Sequence, residues 1–215
     1  MQDMICVITG ATSGLGKAIA LLMAHRGATL VVPCRNAQKG QQLVHEVQRA
    51  TQRATVDIVP ADLSSQQSIR QFVARFRSRY ARLDILVNNA ALITPERTTT
   101  VDGLETQFAV NHLAPFLLTN LLLDSLASSP AARIINVASN SYKAGWIDFD
   151  DWKPDFLEEE LSGQKNYLLK SWTDLQIPDD KNHNNDLYKK LLLLITSMMS
   201  VLRKLPHLRV IILIE

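Results

Sequence analysis

The 215-residue sequence holds only two cysteines, Cys6 and Cys34, each in or just after a run with the character of an interior strand. Isolated thiols in such places predict reduced, buried side chains rather than a disulfide framework or metal site, and hence a reducing compartment. An excess of charge of one sign is also lacking. With 23 basic and 21 acidic residues the formal charge is +2, which calls for neither nucleic acid nor a membrane surface as partner. Long apolar runs are missing too: Leu191 to Ile195, the longest run near the C-terminus, is far too short to span a bilayer. The first strand begins at residue 4, leaving no room for a signal or transit peptide, so the expectation is a cytoplasmic protein, with peripheral membrane association left open. His25, His45, His112, His183 and His207 lack metal-ligand spacing. Repeats and low-complexity tracts are absent.

Glycine is scarce as well, at 8 residues, yet Gly10, Gly14 and Gly16 crowd into one short stretch. Met4 to Gly16 reads MICVITGATSGLG, an apolar strand, a glycine-rich turn and the start of a helix. That order suits a phosphate. Gly10 lets the chain turn sharply, Gly14 and Gly16 remove side chains that would hold a pyrophosphate off, and the helix from about Leu15 to His25 offers its free N–H groups and positive dipole end.

Apolar patterning continues as alternating strands and helices. Strands are expected at 28–33, 55–60, 84–88, 133–138 and 208–214, and helices at 38–50, 65–80, 103–126 and 187–204. The strands are near-continuous apolar runs, as in parallel sheets covered on both faces. The expected fold class is α/β: one domain with a doubly wound parallel sheet of Rossmann type in three α/β/α layers, its ligand at the carboxyl ends of the strands. From Asn140 to Leu187 the pattern breaks into an irregular insert with eleven acidic and five basic residues and all three tryptophans, Trp146, Trp152 and Trp172. Such a stretch is commonly functional or disordered.

Past the turn, the residue after the second strand is Arg35. An acid at that place binds the ribose 2′-hydroxyl of NAD, whereas arginine suits a 2′-phosphate; Arg35 reads alternatively as a solvated surface side chain. Lys17 is a possible further cation there. Asp62, in PADLSS, either accepts from an adenine amino group with Leu63 packed on the ring, or belongs to the cap region of the following helix. Asn88-Asn89-Ala90-Ala91 combines strand-tying asparagines with small side chains that allow close approach, and on its own would read as a turn. The arginines at 70, 75, 77, 79 and 82 read as a solvated helix face rather than a nucleic-acid patch.

TGATSGLG at 9–16, DL at 62–63, NNAA at 88–91, NHLAPFLLT at 111–119 and RIINVAS at 133–139 resemble, in order, the signatures of the short-chain dehydrogenase/reductase family, most closely its retinol dehydrogenase-like branch. The resemblance covers about residues 4–140. It implies an NADP(H)-preferring oxidoreductase that moves hydride between nicotinamide and a carbonyl or alcohol of a small apolar substrate, retinoid-, steroid- or lipid-like. By position, Thr9, Gly10, Ser13, Gly14, Leu15 and Gly16 would hold the pyrophosphate, Arg35 the 2′-phosphate, Asp62 and Leu63 the adenine, and Asn88 and Ala90 the ribose side. Asn111 would interrupt its helix and hold a proton-relay water, and Ser139 would hydrogen-bond the substrate oxygen.

The sequence departs from that family in several places. Ala91 and Ala114 stand where it usually has glycine. The family's tyrosine and its lysine four residues on, which share a helix face, have no counterpart: Tyr80, Tyr142, Tyr167 and Tyr188 are followed at the fourth position by Asp84, Trp146, Ser171 and Leu192. Tyr188 with Lys190 is the best candidate pair by context, although Lys189 and Lys190 stand about 100° and 200° around a regular helix from it; the alternative is a solvated helix start. Family members also continue past a sixth strand, whereas this sequence stops at Glu215, predicting an exposed apolar edge at 208–214. Three readings follow: an NADP(H)-dependent enzyme, a catalytically impaired NADP-binding module acting as cofactor sensor or partner of another chain, or a truncated isoform. Self-association or a protein partner would use the exposed edge or the acidic insert.

Overall fold

In the computed structural model, residues 3–51, 54–138 and 208–214 are described. They form six strands, β1 Ile5–Ile8, β2 Thr29–Cys34, β3 Val56–Pro60, β4 Ile85–Asn88, β5 Arg133–Ala138 and β6 Arg209–Ile214. All pair in parallel in the order β3-β2-β1-β4-β5-β6. The chain leaves β1 towards β2 and β3, then returns to β4 on its other side. That reversal beside β1 is the switch point at which doubly wound sheets open a ligand crevice.

Alternation along each strand divides the core into two layers. Val7, Val31 and Leu86 face one side, where Ile69, Phe72 and Phe76 of α3 (Gln66–Arg79) meet Leu118, Leu122 and Leu126 of α5 (Ala114–Ala127). Cys6, Ile8, Leu30, Val32, Ile85 and Val87 face the other, against Ala20 and Met23 of α1 (Gly14–His25) and Leu43 and Val47 of α2 (Ala37–Ala50). Phe72 and Phe76 are almost wholly buried, each worth about 1.5–3 kcal/mol in removed apolar surface. Both cysteines are buried and free, and burial pushes the Cys6 thiol up to about 12.

Most elements fall where patterning puts them, within a residue or so at each end. One departs. The helix expected over 103–126 starts only at α4, Thr106–Phe108, then widens into a π-helical turn at Ala109–Leu113 before α5. Gly103, at φ +73°, belongs to the preceding turn, and α4 is capped by Glu105, whose carboxylate accepts from Gln107 N and Phe108 N at 2.8 and 2.6 Å. Among the described residues no helix is long and apolar enough to cross a membrane. The irregular insert at 140–187 and the helix expected at 187–204 lie outside the described residues.

Candidate nucleotide site

The glycine turn is built by mutual exclusion of side chains. Gly10 and Gly14 have φ of +67° and +52°, a region where a Cβ is strained. At Gly10 a Cβ would also stand 2.8 Å from Asn89 Nδ2 and 2.9 Å from the Ala90 Cα, whereas at Gly14 it would meet nothing within 4 Å. Gly16 differs from expectation: an added Cβ would overlap the Gly10 carbonyl and Asn89 Nδ2, so its missing side chain serves packing inside the turn. Of the turn's three glycines Gly14 alone faces open space.

At the head of α1, Ser13 makes no side-chain capping bond and the first turn holds no acidic residue. Its exposed neighbours Gly14 and Leu15 therefore present N–H groups without a side-chain acceptor. By contrast α2, α3 and α4 are closed by capping side chains. Asn36 caps α2 by accepting from Lys39 N at 3.0 Å, and Ser65 caps α3 by accepting from Ser68 N at 3.3 Å. Asp102 adds a carboxylate to the head of α3 from a distant loop, accepting from Gln66 N at 2.7 Å.

Arg35 follows the end of β2 and is exposed, with no partner among the described residues. Lys17 is turned aside, its Nζ 3.2 Å from Glu46 of α2. Asp62 holds a tight turn, its Oδ1 accepting from Ser64 N at 2.9 Å and Ser64 Oγ at 2.7 Å; the α3 cap proper is Ser65. Leu63 beside it packs partly into the core.

The segment after β4 ties the site together. Thr9 is buried, and its hydroxyl donates to the Val87 carbonyl at 3.2 Å while accepting from Asn89 N and Ala90 N, both at 2.9 Å. That hydroxyl is therefore saturated within the fold. Asn88 Nδ2 donates to Asn136 Oδ1 at 2.8 Å and to Thr119 Oγ1 at 3.2 Å, but its buried Oδ1 has no partner. Thr9, Leu63, Ala90, Val110 and Pro115 close round Asn88 without room for a water molecule. Asn111 sits in the π-helical turn and clamps Leu92 from both sides, accepting from its N–H at 2.9 Å and donating to its carbonyl at 2.8 Å. Next to it, His112 stacks on Phe108 with ring centroids 5.2 Å apart, and burial pushes its pKa down to about 4. Asn89, quoted above only as part of NNAA, proves central; its duplicated amide at a strand end was the available signal.

The structure thus places Thr9, Gly10, Ser13, Arg35, Asp62, Leu63, Asn88 and Ala90 at the carboxyl ends of the strands or in the loops that follow them, Gly14, Leu15 and Gly16 in the first turn of α1, and Asn111 in the π-helical turn, bonded to Leu92. Ser139, Tyr188 and Lys190 lie outside the described residues.

A parallel sheet in this order, with an uncapped helix behind a glycine turn at its switch point, defines a doubly wound α/β protein of Rossmann type. The family model for short chain dehydrogenase matches residues 4–150, and the chain belongs to the short-chain dehydrogenase/reductase family of oxidoreductases. Within it the chain is retinol dehydrogenase-like. It is 45% identical to human retinol dehydrogenase 13 over 145 residues, which is 67% of this chain and 44% of that protein. It is 41% identical to mouse retinol dehydrogenase 12 over 163 residues, covering 76% and 49%. The chain spans about half the length of these curated relatives. Among solved structures, an RhlG/NADP active-site complex from Pseudomonas aeruginosa superposes with a TM-score of 0.57 at 27% identity, covering 69% of this chain and 59% of that one. A metagenomic short-chain oxidoreductase in complex with NADP gives 0.56 at 29% identity, covering 64% and 63%.

Proposed function

We propose that the chain is a single nucleotide-binding domain that takes NADP(H) in preference to NAD(H) and moves hydride between it and the carbonyl or alcohol carbon of a small apolar substrate. The carrying observation is the head of α1, which lacks a capping side chain and an acidic residue behind the open Gly14. Unclaimed helix N–H groups and a positive dipole end suit a pyrophosphate. Arg35, exposed and unpartnered among the described residues, suits a 2′-phosphate by charge-assisted hydrogen bonds, and solved relatives carry NADP.

In this reading Ser13, Gly14, Leu15 and Gly16 of the turn hold the pyrophosphate, with Thr9 and Gly10 shaping it. Asp62 and Leu63 take the adenine, and Asn88 and Ala90 border the ribose. The bound nicotinamide supplies or accepts the hydride. Ser139 orients the substrate oxygen, Tyr188 supplies its proton with Lys190 as cationic partner, and Asn111 orders the proton relay. An apolar substrate of retinoid, steroid or lipid type follows from the retinol dehydrogenase relatives.

One observation favours a second reading. No tyrosine has a lysine four positions on, and a phenol of pKa ~10 is a weak acid-base catalyst near neutrality without a cation beside it. A cofactor-binding module without turnover would follow. Titration with NADPH and NADH, then a carbonyl-reduction screen on the same sample, separates the two. The enzyme reading expects turnover that Tyr188→Phe and Ser139→Ala each abolish; unchanged activity in both variants overturns the site assignment. Thermal stabilisation by NADPH without turnover supports the module.

A further inference from the structure

The two edges of the sheet are built differently. Along a strand, the N–H and C=O of alternate residues turn towards one side, and those of the residues between turn towards the other. At the β3 edge the Thr55 carbonyl accepts from Leu30 N at 2.8 Å and Ala61 N donates to the Cys34 carbonyl at 3.2 Å. Val56, Ile58 and Pro60 are therefore the outward residues, and Pro60 has no N–H to offer. Asp57 adds a charge in the middle of the strand, paired with Arg79 at 2.6 Å. Proline and charge are devices by which edge strands avoid pairing with other chains.

At the opposite edge β6 has no proline, and after Arg209 it continues as the uncharged run Val210-Ile211-Ile212-Leu213-Ile214, with Ile211 38% exposed. Arg209 N donates to the Ala132 carbonyl at 3.0 Å, so Val210, Ile212 and Ile214 turn their backbone groups away from β5. Among the described residues no strand lies beyond β6.

We infer that this edge pairs antiparallel with the same edge of a second copy of the chain, across a twofold axis at Ile212. Backbone and charge select the same register. Outward residues must meet outward residues: Ile212 faces Ile212 of the partner subunit and Val210 faces Ile214 of the partner subunit, each pair exchanging two hydrogen bonds. Arg209 then stands opposite Glu215 of the partner subunit, the residue after Ile214 in the sequence, in a non-hydrogen-bonded pair where side chains approach most closely. Sliding by two residues keeps the backbone match but loses the charge pair. Arg209 also lies beside Arg133 in the β5–β6 register, and among the described residues neither has an acidic partner. Like charges side by side oppose each other, and a carboxylate from the second copy offsets that repulsion.

Sedimentation equilibrium on the full chain and its variants, each checked for a folded circular dichroism spectrum, is the test. The wild type is expected to be a dimer of the 24.1 kDa chain. Ile212→Pro removes an outward N–H and leaves the ladder to β5 intact; it is expected to be a monomer with near wild-type Tm. Arg209→Glu and Glu215→Arg each set like charges opposite one another at two symmetric places and should raise the dimer Kd about tenfold. The double variant should restore association, a rescue that a local structural role does not predict. Ile212→Cys should cross-link to its own copy under mild oxidation, because directly opposed residues lie within disulfide reach while Cys6 and Cys34 are buried. A monomer at every soluble concentration overturns the proposal. So does a dimer that survives Ile212→Pro, an open-ended series of oligomers, or a double charge variant that fails to restore association. Should Ile212→Pro not fold, the charge variants and the cross-link decide alone.

Discussion

Asp84, at the amino end of β4, has its buried carboxylate closed off, whereas Asn88, at the carboxyl end of the same strand, is left with one buried atom unpaired. Asp84, 4% exposed, precedes β4 and receives Ile5 N at 2.7 Å, Ser129 Oγ at 2.6 Å and Arg82 Nε at 3.2 Å. Its carboxylate joins the starts of β1, β4 and β5 with both oxygens occupied. Opposite, at the far end of β4, Asn88 keeps a bare buried Oδ1 and α1 starts without a cap. Unsatisfied buried groups cost stability. One end of the sheet thus holds the fold together, while the other leaves the head of α1 without a cap.

The sharpest way to break this contrast is Asp84→Ala. It strands the Ile5 N–H and Ser129 hydroxyl in the core, and the expected loss of stability is about 3 kcal/mol or more, read by urea denaturation. The protein that remains folded should still bind NADPH with near wild-type Kd, because the network lies at the wrong end of the sheet. An equal loss of affinity per folded molecule would show that the two ends are not separable.

Arg35→Ala attacks the open end. Removing a charge-assisted contact of about 1.5–3 kcal/mol should weaken NADPH binding roughly 10- to 100-fold, leave NADH binding nearly unchanged and move stability little. Parallel fluorescence titrations with the two cofactors check this, and equal weakening of both would remove Arg35 from the 2′-phosphate site.

His112 gives the comparison a pH dependence. Its folded pKa of about 4 lies below the ordinary 6.5, and burial is the cause. The unfolded chain therefore takes up the proton more readily. The stability associated with the neutral ring is fully present above about pH 6.5 and is lost as pH falls towards about 4, on the order of 2 kcal/mol after allowance for partial exposure. His112→Gln should flatten that part of the acid limb in a series of denaturation curves, leaving NADPH affinity at pH 8 unaltered.

The smallest effect has opposite signs on the two properties. Ser13→Asp places a capping carboxylate at the head of α1, which should stabilise the fold by about 0.5–1 kcal/mol and weaken NADPH binding by repulsion. A rise in Tm with unchanged Kd would mean that the helix end does not face the phosphates.

Much of this was legible in the one-dimensional pattern. A run such as ILVN, buried at every position, has the consecutive apolar residues of a strand covered on both faces, whereas RIINVA is only partly buried. The glycine turn was legible because positive φ narrows the residue choice almost to glycine. The widening at Ala109–Leu113 was not visible in apolar spacing, since a π turn alters one hydrogen-bond register without disturbing the composition around it; only the family resemblance marked Asn111 as a break. Nor could spacing assign Lys17, whose partner Glu46 lies on another helix, or reveal Asp102 as the carboxylate that completes α3 from 36 residues away.

By itself, then, the sequence determined the alternation of strands and helices, the parallel sheet and the turn at its head, because burial and backbone strain act on neighbouring residues. Tertiary structure alone decided which of the turn's groups are free. Gly14 opens to solvent while Gly16 is packed shut, Thr9 is saturated while Asn88 is not, and Asn89 donates to the Thr9 and Gly10 carbonyls between them. Those distinctions arise where β1, β4 and α1 converge, from contacts between residues about 80 positions apart, and hydrogen-bond completion across such a junction is settled only when the chain closes on itself.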